Sequence, residues 1–215
     1  MMVSTSNYCI FNRLLRKFKN WYGSNHYLYC NWTSWLNICK RKEIILQKIK
    51  SYAQYFSQNK LLILVFVLIA VCGQIFQSLP HNIYENMLDT KFGFGFIEVQ
   101  NVMNQLGQEG RFVYIVSTLT LDTIFPVLYV TFILGLFFKF NFKSDLIYLL
   151  PIIAGGFDLL QNIQTSLIMK ADSMNAITNF QILLANYTNQ AKFIFIIISF
   201  VLIVLGILKK YFIKN

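Results

Sequence analysis

The sequence predicts an all-α, four-helix transmembrane bundle preceded by basic N-terminal juxtamembrane helices, and two observations support this fold class. Hydrophobic residues make up 56% of the 215-residue chain, whereas charged residues make up only 13%. The hydrophobic residues are also concentrated in long uninterrupted runs, and a helix of about 20 such residues crosses a bilayer. A soluble core does not need runs of this length, so the chain is predicted to be an integral membrane protein.

Four apolar runs define a predicted membrane domain over residues 61–209. They cover residues 61–79, 112–138, 146–169 and 191–208, and the apolar part of the fourth run begins only at Phe193. A long first loop, Pro80–Arg111, separates the first two runs. Its apolar residues recur at helical spacing at Phe96, Val99, Met103 and Leu106. We expect a short helix there on the outer membrane surface, ended by Gly107.

Positive charge is concentrated ahead of the first run. Residues 1–60 contain ten of the 19 Lys and Arg residues and a single acid, Glu43. A basic segment beside apolar runs is typical of a juxtamembrane region that faces anionic lipid, so we expect membrane lipid and not nucleic acid as the partner. Amphipathic patches over 11–19 and 45–56 predict surface helices, and the alternative is a loosely ordered tail.

Loop charges predict that both termini lie on the cytoplasmic side, in a membrane that the sequence does not specify. Lys139 and Lys143 lie between the second and third runs, and the C-terminal tail, 210–215, is basic. The first loop is acidic instead, which places it outside by the positive-inside rule. The loop before the fourth run is taken to contain Lys170, Asp172 and Lys192, and so small an excess of charge does not favour either side.

Two aspartates, Asp122 and Asp158, lie within the second and third runs. A carboxylate near the bilayer midplane costs about 2.5 kcal/mol or more, so such residues usually face a buried polar site. Polar residues share their helical faces: Thr118, Tyr129, Gln161 and Asn162. If the two runs are antiparallel neighbours, the Asp122 side chain should meet Asp158 or its amide neighbours at similar depth.

We expect neither aspartate to have an intramembrane cation as a partner, because Lys192 is assigned to a loop. Two carboxylates in a low-dielectric site cannot both be ionised cheaply, so at least one should share a proton or donate it to an amide. Two interpretations follow. The residues form either a polar cavity that binds a ligand or a proton, or a set of contacts that only hold the helices together.

Three stretches around these positions occur in a characteristic order. They read L-G-Q-E-G-R-F-V-Y (106–114), L-D-T-I-F-P-V-L-Y (121–129) and L-P-I-I-A-G-G-F-D-L-L-Q-N (150–162). This pattern resembles the motifs G-x-x-G-R-x-x-Y, D-x-x-F-P-x-x-Y and D-x-x-E-N of a mostly bacterial, uncharacterised family of small four-span membrane proteins. The resemblance covers under a third of the chain and implies the fold and the polar site, but no activity. Gln161 stands where that family tends to have Glu, which argues against a proton relay.

The leading hypothesis is a multi-pass membrane protein whose outward-opening polar cavity binds a lipid-like or small polar ligand. Its candidate binding residues are Asp122, Asp158, Gln161, Asn162, Tyr129 and Thr118, with Arg111 as an anchor or anion contact at the outer rim. The alternative is a non-catalytic assembly or scaffold subunit, in a homo-oligomer or with a membrane partner, whose acids only hold the bundle together. Paired carboxylates would also suit an isomerase, so enzymatic activity stays open. No motif indicates a metal or a cofactor.

Overall fold

The computed structural model describes residues 26–142 and 144–212. Within these residues the protein consists of α-helices and short 3-10 turns, and no strand is present. The helices are α1 (His26–Phe56), α2 (Asn59–Gln77), α3 (Ile83–Asn86), α4 (Phe96–Leu119), α5 (Leu121–Lys139), α6 (Leu149–Lys170) and α7 (Asn179–Phe212). The 3-10 turns are Leu88–Thr90, Asp145–Tyr148 and Met174–Ala176.

Four helical stretches in the described part of the chain are long and apolar enough to cross a membrane. They are Asn59–Gln77, Phe96–Lys139, Asp145–Lys170 and Asn179–Lys210. The predicted all-α, four-span fold class is therefore confirmed, and the protein is an integral multi-pass membrane protein.

The chain divides into two compact units, residues 1–45 and 46–215. Of the first unit, the structure describes the beginning of α1, from His26. The amphipathic patch predicted over 11–19 lies outside the described residues, whereas the patch over 45–56 is helical, as expected. Within the second unit, the end of α1 packs on α5, where the hydroxyl oxygens of Tyr52 and Thr131 are 2.8 Å apart.

The second span is interrupted at two residues. Gly107 has φ 59° and ψ −167°, so the helix that begins at Phe96 breaks where the sequence predicted its end. A glycine reaches this positive φ without the steric penalty of a Cβ. Thr120, with φ −108° and ψ −78°, then separates α4 from α5. The helix predicted over 112–138 is therefore two consecutive helices.

The last helix begins earlier than predicted. α7 starts at Asn179 and not at residue 191, so Lys192 lies inside a helix and its assignment to a loop is wrong. Polar residues lower the hydropathy of the first turns of α7, which is why they resembled a loop. They contact the backbone of residues 78–95, hereafter the connecting segment, through Asn186, Asn189 and Lys192.

Helix α6 is the central element of the second unit. It packs against α4, α5 and α7, while α2 packs against α5. Two apolar clusters fill the interior: one lies around α4 and the connecting segment and includes Tyr114, and the other lies around α5 and includes Tyr129. Phe125 packs against both clusters. The Tyr129 hydroxyl donates to Asp158, and the Tyr114 hydroxyl accepts from the backbone N–H of Leu88.

Close contact between α5 and the end of α1 depends on Gly135. A Cβ at this position would lie 2.8 Å from the backbone carbonyl oxygen of Phe56 and 2.9 Å from the Leu62 side chain. Because backbone atoms cannot easily move aside, we expect Gly135→Ala to lower the free energy of unfolding by about 1–3 kcal/mol. Gly156→Ala is the matched control, since nothing lies within 4 Å of its added Cβ. Thermal unfolding in detergent compares the two variants, and equal Tm values would contradict the prediction.

Candidate functional site

Asp158 lies in a buried polar cluster together with a lysine. One carboxylate oxygen accepts a hydrogen bond from Lys192 Nζ at 3.2 Å, and the other accepts one from the Tyr129 hydroxyl at 3.1 Å. Asp158 is 3% exposed and Lys192 is 4% exposed. The expectation that Asp158 lacks an intramembrane cation is therefore wrong. The physical reason is the early start of α7, which brings Lys192 into the bundle.

All three N–H groups of the Lys192 ammonium have partners. Besides Asp158, Nζ donates to Gln161 Oε1 at 2.8 Å and to the backbone carbonyl of Asp89 at 3.3 Å. The Lys192 amine is thus bonded to one carboxylate oxygen and two neutral oxygens. These contacts make the lysine an anchor that joins α6, α7 and the connecting segment.

The backbone of Asp122 contacts helix α6. Its carbonyl oxygen accepts a hydrogen bond of 2.8 Å from Asn162 Nδ2. Pro126, four residues further along α5, has no N–H with which to make the usual helical bond to that carbonyl. Asn162 thus satisfies a carbonyl that Pro126 leaves free. We predicted that the Asp122 side chain meets Asp158 or its amide neighbours, but the hydrogen bond to Asn162 uses the main-chain carbonyl of Asp122 instead.

The connecting segment contributes a third acid, which the sequence did not single out. Asp89 lies in the 3-10 turn Leu88–Thr90, and its side chain faces that of Asp122. In the sequence Asp89 is one of several acids in a long loop, without periodicity or a motif to distinguish it. The cluster therefore contains three carboxyl groups and one ammonium among the described residues.

Hydrogen bonds between neighbouring side chains and its backbone hold the connecting segment over the cluster. Asn189 donates to the carbonyl of Lys91, and Asn186 accepts from the N–H of Phe94 at 3.0 Å. On the α4 side, the Tyr114 hydroxyl accepts from the N–H of Leu88 at 3.2 Å. Together with the bond from Lys192 to Asp89, these contacts close the cluster beneath the segment.

The other two predicted site residues lie on α4. Thr118 is buried, and its hydroxyl has no hydrogen-bond partner among the described residues. Arg111 donates to the carbonyl of Ala171 at 2.6 Å and to that of Gly107 at 3.2 Å. It connects the interruption of α4 with the carboxyl end of α6, where a cation also complements the helix dipole. These contacts are those of an anchor.

Buried polar atoms without a partner are concentrated around these residues. In the described part of the chain they are Asp89 Oδ1, Thr118 Oγ1, Asp122 Oδ2, Gln161 Nε2, Asn162 Oδ1, Ser166 Oγ and Asn189 Oδ1. A buried polar group without a partner costs about 1–3 kcal/mol, so native proteins contain few of them. Among the described residues, no three or more His, Cys, Asp or Glu side chains are arranged to hold a metal ion. The unpartnered atoms can accept or donate further hydrogen bonds.

Comparisons of the chain with protein-family models, curated proteins and solved structures give no match. The resemblance to the four-span bacterial family therefore stays a prediction. The chemistry of the polar cluster is the basis for the function proposed next.

Proposed function

We propose that this membrane protein binds a small polar ligand, or the polar head of a lipid, in the cluster beneath the connecting segment. Asp122, Gln161, Asn162 and Thr118 would contact the ligand, and Asp158 and Tyr129 would hold the cluster around it. The observation that carries the proposal is the set of seven buried side-chain atoms without a hydrogen-bond partner in the described residues. A ligand that forms hydrogen bonds to several of these atoms removes the free-energy cost of leaving them unpaired.

Entry of the ligand requires the connecting segment to move. Asp122 is 4% exposed and Asn162 is 1% exposed, so the cluster is closed in the observed state. The segment is held by hydrogen bonds with Asn186, Asn189 and Lys192 and by its buried apolar side chains, Ile83, Met87, Leu88 and Phe94. Ligand entry therefore requires a local opening that breaks these hydrogen bonds and uncovers the apolar side chains. The segment acts as a lid.

The two intramembrane aspartates have different roles in this proposal. Asp158 is occupied by Lys192 and Tyr129, and it fixes the ammonium that also holds the lid through Asp89. Asp122 keeps a buried carboxyl oxygen for the ligand. Substitution of Asp158 would leave Lys192 unpaired and destabilise the protein, so Asp122 is the residue through which binding is tested.

Native mass spectrometry of protein purified in mild detergent tests this proposal. Asp122→Asn keeps the size and shape of the side chain but removes its charge. We expect wild-type protein to carry a bound small molecule or lipid at fixed stoichiometry, and Asp122→Asn to lose it while staying monodisperse. Asp145→Asn is the matched control, because Asp145 is an exposed aspartate paired with Lys50 outside the cluster. Equal occupancy in Asp122→Asn and wild type, or no bound molecule in wild type, would contradict the proposal.

A second candidate function, the assembly or scaffold subunit, is favoured by the contacts of Lys192. This residue joins α6, α7 and the connecting segment, as expected if the acids only hold the bundle together. Under this alternative, wild-type protein carries no small molecule and instead co-purifies with a stoichiometric membrane partner or as a defined oligomer. The same mass spectra distinguish the two functions.

A further inference from the structure

We infer that the ligand is an organic cation with N–H groups, that is, an ammonium or primary amine, free or in a lipid head. This inference rests on the proposed function and specifies its ligand class. It depends on which atoms of the cluster lack partners, on the balance of charge, and on how the cluster already holds one ammonium.

The available atoms are mostly hydrogen-bond acceptors. The amide oxygens of Asn162 and Asn189 can only accept, the carboxyl oxygens of Asp89 and Asp122 accept when ionised, and the hydroxyls of Thr118 and Ser166 can accept or donate. Gln161 Nε2 is the one pure donor among the unpartnered atoms of the described residues. The complementary ligand therefore carries several donors.

The orientations of the three amides are determined by their other contacts. Asn162 and Asn189 each donate their nitrogen to a backbone carbonyl, so their oxygens are the free atoms. Gln161 accepts from Lys192 through its oxygen, which leaves its nitrogen free. Reversal of any of these amides would place two donors or two acceptors against each other. The hydrogen-bond partners therefore fix which amide atoms are free, and most of the free atoms are acceptors.

Charge favours a cation as well. The Asp89 side chain faces that of Asp122, while the Lys192 ammonium pairs with Asp158. Two adjacent carboxyl groups without a cation between them share a proton, and a bound cation would take the place of that proton. In a low-dielectric environment, a charge without a counterion is far more costly than a paired one.

Lys192 shows how this cluster recognises an amine. Its Nζ is held by one carboxylate oxygen, one amide oxygen and one backbone carbonyl oxygen, at 3.2, 2.8 and 3.3 Å. The Asp122 and Asn162 oxygens offer the same chemistry without a partner in the described residues. The carboxyl groups of the described residues do not converge as metal ligands, so the donor-rich organic cation fits better than a metal ion.

Thermal unfolding of the detergent-solubilised full chain tests this ligand class with four probes at equal ionic strength. Ethanolammonium carries both charge and N–H donors, choline carries charge without N–H donors, ethylene glycol is neutral, and phosphate is an anion. We expect ethanolammonium alone to raise Tm, by about 3–6 °C at about ten times its dissociation constant. The rise should persist in Asp145→Asn and disappear in Asp122→Asn. Thr118→Val, which removes one acceptor without changing side-chain shape, should reduce it.

Each result has a defined meaning. A rise with ethylene glycol or phosphate that Asp122→Asn abolishes would overturn the ligand class and keep the proposed function. No rise with any probe, together with no bound molecule in native mass spectra, would overturn both.

Nanodiscs of phosphatidylethanolamine compared with phosphatidylcholine identify the source of the amine. Stabilisation by the former lipid alone, without an effect of free ethanolammonium, supports a lipid head, and stabilisation by both supports the amine itself.

Discussion

Lys192→Met is expected to lower the free energy of unfolding by about 3–5 kcal/mol, because it leaves the buried Asp158 without its cation. The substitution also removes the hydrogen bond that fixes the carbonyl of Asp89, so the connecting segment should become accessible to protease. Chemical or thermal unfolding in detergent measures the first effect, and limited proteolysis between α2 and α4 measures the second.

Two further variants separate loss of the ion pair from a general effect of substitution. Lys209→Met removes an exposed lysine of the same helix and should leave stability unchanged within about 0.5 kcal/mol. Lys192→Met combined with Asp158→Leu removes both charges and should recover much of the lost stability, because a buried pair replaced by apolar residues is often neutral. A double variant as unstable as the sum of the single variants would show that the ion pair is not the cause.

Asn162→Leu is expected to cost about 1–3 kcal/mol, because the carbonyl of Asp122 then has neither a side-chain donor nor the helical N–H that Pro126 lacks. The replacement is close in size, so the loss of packing is small. Thermal unfolding reports the change.

A double-variant cycle with Pro126→Ala tests the cause directly. Alanine at 126 restores the N–H that bonds to the Asp122 carbonyl, so Asn162→Leu should cost less in the Pro126→Ala background. We expect a coupling energy of about 1 kcal/mol. Strictly additive effects would show that Asn162 stabilises the bundle by some other contact. Thr123→Val, on the neighbouring turn of α5, provides a background without this coupling.

Hydropathy was sufficient to predict the spans, because a bilayer requires long apolar helices whatever the detail of their packing. Helical periodicity also placed Asp158, Gln161 and Asn162 on one face of α6, and all three are buried. The interruption at Gly107 was predicted from residue type, since glycine tolerates the backbone conformation observed there.

Lys192 was missed because hydropathy alone cannot separate a loop from a helix with one polar face. Its signal was present in the spacing of Asn186, Asn189 and Lys192, three residues apart, with no glycine or proline between Asn179 and Lys192. Asp89 left no such signal. Its position depends on a tertiary contact between the connecting segment and α7, which local sequence does not encode.

The pairing of Asp158 with Lys192 also has a consequence for synthesis of the chain. The two residues are separated by 34 positions, so the ribosome makes the acid first and its cation only with the next span. Until α7 is made, the third span carries a membrane-buried acid without its counterion, which is energetically unfavourable. α7 therefore supplies the charge that the third span lacks, and chains truncated before Lys192 are expected to be less stable in the membrane.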